Sequence, residues 1–284
     1  MGPSPGGGPV VVCADLDRTL IYSQSALALT GPDADAPRLL CVEVYQGKPL
    51  SFVTERAAAG LEALAAGCVL VPATTRTPEQ YARVHLPGKA PEYAICANGG
   101  HLLVDGVDDP GWAATVRERL ASGADLAAVR EHLERVLDGR FDARLRIAAD
   151  LFCYAVLDRA AVPAGWVEDL TGWCAERGWT VSMQGRKLYC LPVMLTKAAA
   201  AAEVARRAGA GAMVAAGDSI LDIPMLEIAD QAIRPAHGEL AELGWTSPTT
   251  SVTAGRGVAA GEEIVTWLVE RAVLGQPVNP DKES

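Results

Sequence analysis

The chain has 284 residues, half of them apolar and 21% charged, with 25 basic against 35 acidic side chains and a formal net charge of -10. That composition is globular and excludes a disordered chain, and at about 100–200 residues per domain the length suits one large domain or two smaller ones. The acidic balance, with a pI near 4.9, argues against nucleic acid or an anionic membrane as partner, because both demand clustered Lys/Arg.

The N-terminal run MGPSPGGGP lacks the positive start and apolar stretch of a signal peptide, and Gly6 breaks the myristoylation pattern. No apolar run approaches the ~20 residues that span a bilayer. The seven cysteines (Cys13, Cys41, Cys68, Cys96, Cys153, Cys174, Cys190) form no C-x-x-C pair and mostly sit in apolar runs, where a thiol behaves as a small hydrophobe. They fit a reducing compartment. The expectation is a cytoplasmic protein, monomeric or homodimeric.

Val10–Ala14 is an apolar run ending in the polar stretch 15–19, and 68–73 ends likewise in Thr74-Thr75-Arg76. Runs that are apolar throughout mark parallel strands buried on both faces. Between them, Leu39–Tyr45 and 49–53 flank a Gln46-Gly47-Lys48 turn and read as a hairpin. Thr54 is the predicted N-cap of an Ala-rich helix ending near Gly67, with Ala57, Leu61 and Leu64 at helical spacing. A third apolar strand, 93–97, meets an Asn98-Gly99-Gly100 turn and then His101–Val104. From about Asp108 the texture changes. A helix over 126–137 precedes strands at 143–148 and 151–157; a helix over 164–177 precedes strands at 180–184 and 187–191 around a Gly185-Arg186 turn. Two helix–strand–strand units suit an antiparallel sheet covered on one side. The α/β texture then returns: a helix from Lys197 to about Ala208, strand Ala212–Ala216, a helix around 220–228, strand Gln231–Arg234, a helix over 259–273 and a tail expected to fray. The predicted fold is α/β, a Rossmann-like open parallel sheet core (1–107 and 191–284) with an inserted α+β cap (108–190). His85, His101, His132 and His237 show no ligand spacing and are expected at the surface. Trp166, Trp173 and Trp179 are expected in the cap core.

In an open α/β sheet, ligands bind at the carboxyl ends of the strands, and four polar elements fall there. Asp15 and Asp17 point to the same side if the backbone stays extended. Two close carboxylates repel unless a cation or proton intervenes, although a plain acidic turn has the same sequence. Thr74, followed by Arg76, ends the next strand, where a helix cap or turn residue is the alternative. Lys197 opens an apolar helix, a place where the dipole disfavours a cation without an anionic partner. The run Gly217-Asp218-Ser219-Ile220-Leu221-Asp222 adds two acids at another strand end, Asp222 being equally readable as a first-turn acid. Carboxylates from separate strand ends suit a hard divalent cation, Mg2+ above all. A hydroxyl and an ammonium complement phosphoryl oxygens, so the set describes phosphoryl transfer.

The run VVVCADLDRTL resembles the first motif of the haloacid dehalogenase-like superfamily, an apolar strand followed by D-x-D-x-T. Thr74 falls at its second motif, Lys197 at its third, and GDSILDIPML matches its fourth. The insert between the second and third motifs, with ANGG, is similar to the Cof-type and sucrose-phosphatase-like branch. Thr74-Thr75-Arg76 stands where that branch has Thr-Gly-Arg, and Leu221 where it has Asn. The resemblance implies that Asp15 is the nucleophile that forms an aspartyl-phosphate and that Asp17 protonates the leaving oxygen and then activates water. It further implies Mg2+ on Asp15, the Asp17 carbonyl and Asp218, supported by Asp222, with Thr74 and Lys197 on the phosphoryl oxygens. Substrate choice falls to Arg76 and Asn98 in the core and to the cap, where Arg144, Arg146, Gln184, Arg186 and Lys187 are the candidates, although solvated surface side chains are the more usual reading of each. The expected activity is Mg2+-dependent hydrolysis of a small, phosphosugar-like ester. A phosphomutase or phosphotransferase on the same scaffold is one alternative. A non-catalytic phosphoacceptor or binding domain is the other, and it has no need of Asp17.

Overall fold

The computed structural model describes residues 7–121 and 125–273, so the expected fraying of the C-terminal tail lies outside the described residues. In chain order the elements are β1 (Val10–Ala14), β2 (Tyr22–Ser23), β3 (Leu39–Tyr45), β4 (Lys48–Thr54), α1 (Glu55–Gly67), β5 (Val69–Pro72), α2 (Pro78–Tyr81), β6 (Tyr93–Cys96), β7 (His101–Val104), β8 (Val107–Asp108), α3 (Pro110–Leu120) and α4 (Leu126–Leu137). They continue as β9 (Arg144–Ala148), β10 (Phe152–Val156), α5 (Trp166–Ala175), β11 (Trp179–Gln184), β12 (Lys187–Pro192), α6 (Lys197–Ala208), β13 (Ala212–Ala216), α7 (Ile223–Ile228), β14 (Gln231–Arg234), α8 (Glu239–Glu242), β15 (Thr250–Val252) and α9 (Val258–Ala272).

The central sheet runs β15-β14-β13-β1-β5 and is parallel at every pairing. A parallel bridge between Ala73 and Ile95 leads on to β6. Along β1, Val11 and Cys13 enter the core that holds Val204 of α6 and Met225 of α7, while Val12 and Ala14 enter the one holding Leu61 of α1 and Leu268 of α9. Helices thus cover both faces, which is why the strand is apolar at every position. Thr54 caps α1 by accepting from the Ala57 N–H (3.1 Å). Thr196 caps α6 through the Ala199 N–H (3.3 Å), and so fixes Lys197 as the first helical residue.

The insert is an α+β cap with the antiparallel order β11-β12-β10-β9. Val129, Leu133, Leu170 and Cys174 of α4 and α5 share a core with Cys153, Ala155, Leu188 and Cys190 of the sheet. The register sets Arg146, Tyr154, Tyr189 and Ser182 in one cross-strand row and Arg144, Val156, Lys187 and Gln184 in the next. Side chains alternate along a strand, so both rows lie on the face away from the helices.

The structure departs from the sequence expectations in a few places. Helix α3 is unforeseen, because its apolar face is thin and only Trp112 and Val116 are buried. Its start is marked instead by Asp109 as N-cap and Pro110 at the first turn. The helix expected over 220–228 begins at Ile223, since Ser219–Asp222 is a turn closed by the Asp222 N–H on the Ser219 carbonyl (2.9 Å). His237 is not a surface residue: half-buried, it places Nε2 2.9 Å from the Arg18 carbonyl and accepts from the Gly257 N–H at Nδ1. Trp179 is buried, whereas Trp166 and Trp173 are half-buried against the same core. The short β2, α2, α8 and β15 are too brief for periodicity to register. No helix among the described residues is long and apolar enough to cross a membrane.

Candidate active site

The first and fourth motifs meet because β1 and β13 are neighbours. The Asp15 N–H donates to the Ala216 carbonyl (2.9 Å), which sets Asp15 beside the loop that follows β13. Lys197, only 1% exposed, bridges that junction: its Nζ lies 2.6 Å from Asp15 Oδ1 and 2.6 Å from Asp222 Oδ1. The other Asp222 oxygen accepts from the Asp218 N–H (3.1 Å), the Ser219 N–H (3.0 Å) and the Ser219 hydroxyl (2.8 Å). Asp222 therefore sits beneath the loop and shapes it. A Cβ at Gly217 would collide with the Asp222 side chain, so glycine is what admits this arrangement. Asp218 faces Arg18, whose Nε is 3.5 Å away.

Asp15, Asp218 and Asp222 each offer a carboxylate oxygen within 4.8 Å of the others, and all three are buried. One buried ammonium and the Arg18 guanidinium do not balance three carboxylates. Burial pushes Asp15 up to about 7 against the pull of Lys197, with Asp222 adding to the rise. Burial, then Asp15 and Asp222, hold Asp218 well above the usual carboxylate range. Burial opposes the Lys197 charge, but Asp15 and Asp222 together raise its pKa above the ordinary value. An all-oxygen donor set short of positive charge fits a hard divalent cation.

The second group surrounds Asp17. Arg76 donates to both of its oxygens, Nε to Oδ2 and Nη2 to Oδ1, each at 2.8 Å. Burial alone would raise Asp17, yet Arg76, seconded by Lys187, holds it down to about 2. The third guanidinium nitrogen of Arg76 is 2.9 Å from Glu43 Oε1, so the arginine predicted to meet substrate is engaged with two carboxylates of its own chain. Thr74 is buried and accepts from the Arg76 N–H (3.1 Å). Thr75 donates to the Tyr189 hydroxyl (3.3 Å), joining the second motif to the cap. Lys187 is near enough to Tyr189 and Asp17 for both to raise its pKa above the ordinary lysine value.

Asn98, predicted to face substrate, is buried and donates to the Leu195 carbonyl (2.7 Å), tying its turn to the entry of α6. Arg144, Arg146 and Arg186 are exposed, while Gln184 and Lys187 are half-buried. Gly185 lies against Arg18, so the turn that carries Arg186 overhangs the first motif. The cap is also latched by Glu239, which accepts from the Ser182 hydroxyl (2.7 Å), the Met183 N–H (2.9 Å) and the Ile220 N–H (3.1 Å). At the rim, Arg159 pairs with Glu242 at 2.6 Å.

No protein-family model matches the chain, and no curated protein does either. Solved structures do match. Sucrose-phosphatase from Synechocystis sp. PCC6803, in complex with sucrose and phosphate, aligns with a TM-score of 0.61 at 17% identity, over 94% of this chain and 100% of that one. A trehalose-6-phosphate phosphatase related protein gives 0.54 at 15% identity, over 94% and 100%. A phosphatase of the haloalkanoate dehalogenase superfamily from Bacteroides thetaiotaomicron gives 0.53 at 14%, over 94% and 97%. The chain has the haloacid dehalogenase-like fold. At these identities the likeness is one of fold, carried by the parallel sheet and its inserted cap.

Sequence reasoning passes over four contributors to the site: Arg18, Glu43, Tyr189 and Glu239. Arg18 lies inside D-x-D-x-T, where its neighbours draw the eye. Tyr189 shares the alternation of Lys187 along β12, the signal that would have found it. Glu43 and Glu239 lie in short or irregular elements and leave no periodic trace.

Proposed function

We propose that the protein is a Mg2+-dependent phosphomonoester hydrolase that works through an aspartyl-phosphate. Its substrate is a small phosphorylated metabolite of the phosphosugar class. The observation that supports this most is the Asp15–Lys197–Asp222 junction with Asp218 beside it, at the carboxyl end of a parallel sheet, with Asp17 two residues on. Asp15 attacks phosphorus in line, and Asp17 takes a proton from the hydrolytic water; to give one to the leaving oxygen it would first exchange part of its Arg76 pairing, which holds it ionised, for a proton. Lys197 and Thr74 hold phosphoryl oxygens, Lys197 exchanging part of its carboxylate pairing for the incoming anion. Asp15, the Asp17 carbonyl and Asp218 would hold Mg2+, with Asp222 in support. When bound, the ion supplies charge neutralisation of the phosphoryl group and the carboxylates. The insert over 108–190 would act as the specificity module, since the core residues reach no further than the phosphoryl group and the leaving oxygen. The phosphosugar class draws on the sucrose-phosphatase likeness and on the polar cap rows of Arg144, Lys187 and Gln184 and of Arg146, Tyr154 and Tyr189.

The test is phosphate release from p-nitrophenyl phosphate and a panel of sugar phosphates, with Mg2+, with EDTA, and with Asp15→Asn. Release is expected with Mg2+ and lost in the other two conditions; undiminished release in either would overturn the reading. Transfer to a second hydroxyl without free phosphate would identify a phosphomutase instead.

A further inference from the structure

The β3–β4 hairpin plays no part in the proposed chemistry, yet it carries a carboxylate that is 2% exposed, Glu43. The β3–β4 register slips between Cys41 and Glu43 and again between Glu43 and Val44. This bulge turns both Val42 and Glu43 inward in succession. Ser51 donates to Glu43 Oε2 (2.6 Å), Arg76 Nη1 is 2.9 Å from Oε1, and Arg83 Nε is 3.6 Å from the same oxygen. Burying a carboxylate and a guanidinium costs several kcal/mol that their attraction recovers only in good geometry, so such a pair is weak evidence for stability. What it does supply is orientation. A planar guanidinium bound on one edge by Glu43 presents its other edge as a two-pronged fork, and Asp17 fills that fork with both oxygens.

We propose that Glu43 is a positioning residue for the second half-reaction: through Arg76 it holds the Asp17 carboxylate in the orientation that accepts a proton from the hydrolytic water. The proposal rests on the phosphatase reading above. In the first half, with p-nitrophenyl phosphate, Asp15 bonds to phosphorus as the bond to the leaving oxygen breaks, and p-nitrophenolate departs with that electron pair, leaving the Asp17 carboxylate unprotonated. In the second, water bonds to phosphorus and passes its proton to Asp17, and the bond from Asp15 to phosphorus breaks to release phosphate. Fork geometry bears on the second step, because with both oxygens accepting from Arg76 it is the carboxylate's remaining lone pairs that meet water.

p-Nitrophenyl phosphate separates the two steps, since p-nitrophenolate leaves without needing a proton. For Glu43→Gln, kcat is expected to fall about 10–100-fold, part of the ~10²–10⁴ that general acid–base catalysis supplies. KM is expected to fall in parallel, so that kcat/KM stays within about threefold of wild type. Stopped-flow mixing is expected to show a p-nitrophenolate burst larger than in wild type, because phosphoenzyme accumulates. Arg76→Lys keeps the charge and loses the fork, and is expected to give the same pattern should Glu43→Gln fold poorly. Loss of kcat/KM as large as the loss of kcat, with no added burst, would overturn the proposal, as would wild-type kinetics in Glu43→Gln. Failure of the phosphatase reading looks different: the wild-type protein itself would then lack Mg2+-dependent turnover.

Discussion

The two halves of the cleft follow opposite electrostatic plans. Around Asp15, three buried carboxylates face one buried ammonium and the partly exposed Arg18 guanidinium. Around Asp17, Arg76 pairs with both Asp17 and Glu43, with Arg83 3.6 Å from Glu43 and Lys187 near enough to Asp17 to feel its charge. The first half is short of positive charge and therefore receptive; the second has no such shortage, and its paired groups are fixed. A phosphatase of the proposed kind needs both, a place whose charge changes as a dianion arrives and a place that keeps one carboxylate still.

The largest effect should come from removing the centre of the receptive half. Asp15→Asn is expected to lower turnover about 10³-fold or more, because the proposed nucleophile is gone. The melting temperature without metal should nevertheless hold or rise, since one of three crowded charges is removed. A marked fall in melting temperature would show that the carboxylates there are not in conflict. Lys197→Met acts in the other direction. It leaves buried carboxylates uncompensated and should cost about 3–5 kcal/mol in urea unfolding, with Mg2+ restoring part of the loss. Unchanged stability would remove Lys197 from its bridging role.

Mg2+ at 100 times its Kd should add about 2.7 kcal/mol to the wild-type protein, and pH sharpens the contrast between the halves. Asp15 in the folded protein titrates near 7, above an unfolded aspartate. Its stabilising contribution is complete below about pH 4 and is lost as pH rises through 7. Asp17 titrates near 2, so its contribution is present above about pH 4 and is lost as pH falls through 2. The metal-free protein should therefore lose stability between pH 4 and 7, and Mg2+ should flatten that slope; equal slopes with and without the ion would contradict the picture. The smallest effect belongs to Glu242→Ala at the cap rim, expected to cost under about 1 kcal/mol in chemical denaturation because its partnership with Arg159 is solvent-screened. A larger loss would place the cap's attachment at the rim rather than at Glu239.

Much of the scaffold is legible in the sequence, and for a physical reason. A strand covered on both faces has no room for polar groups, so Val10–Ala14 and Ala212–Ala216 stand out, and the first polar residues after them mark the cleft. The dipole argument at Lys197 called for an anion nearby, and the anions are Asp15 and Asp222 of the same chain. Asp222 reads in the sequence as an ordinary first-turn acid; its placement beneath the loop depends on Gly217, a relation that exists only in three dimensions. Arg76 likewise reads as a substrate ligand because nothing in the chain announces Glu43. A bulge inverts the alternation that would otherwise have assigned Glu43 to solvent. Helix α3 is hidden for the reverse reason, too few apolar positions to make a period.

The carboxylate of Glu239 joins two things that are usually discussed apart. Two of its three donors, the Ser182 hydroxyl and the Met183 N–H, belong to the cap, and the third, the Ile220 N–H, belongs to the loop that carries Asp218 and Asp222. A displacement of the cap from the core would leave Glu239 only its donor in that loop. The attachment of the cap and the set of the loop that carries Asp218 and Asp222 thus draw on one side chain, so the position of either constrains the other.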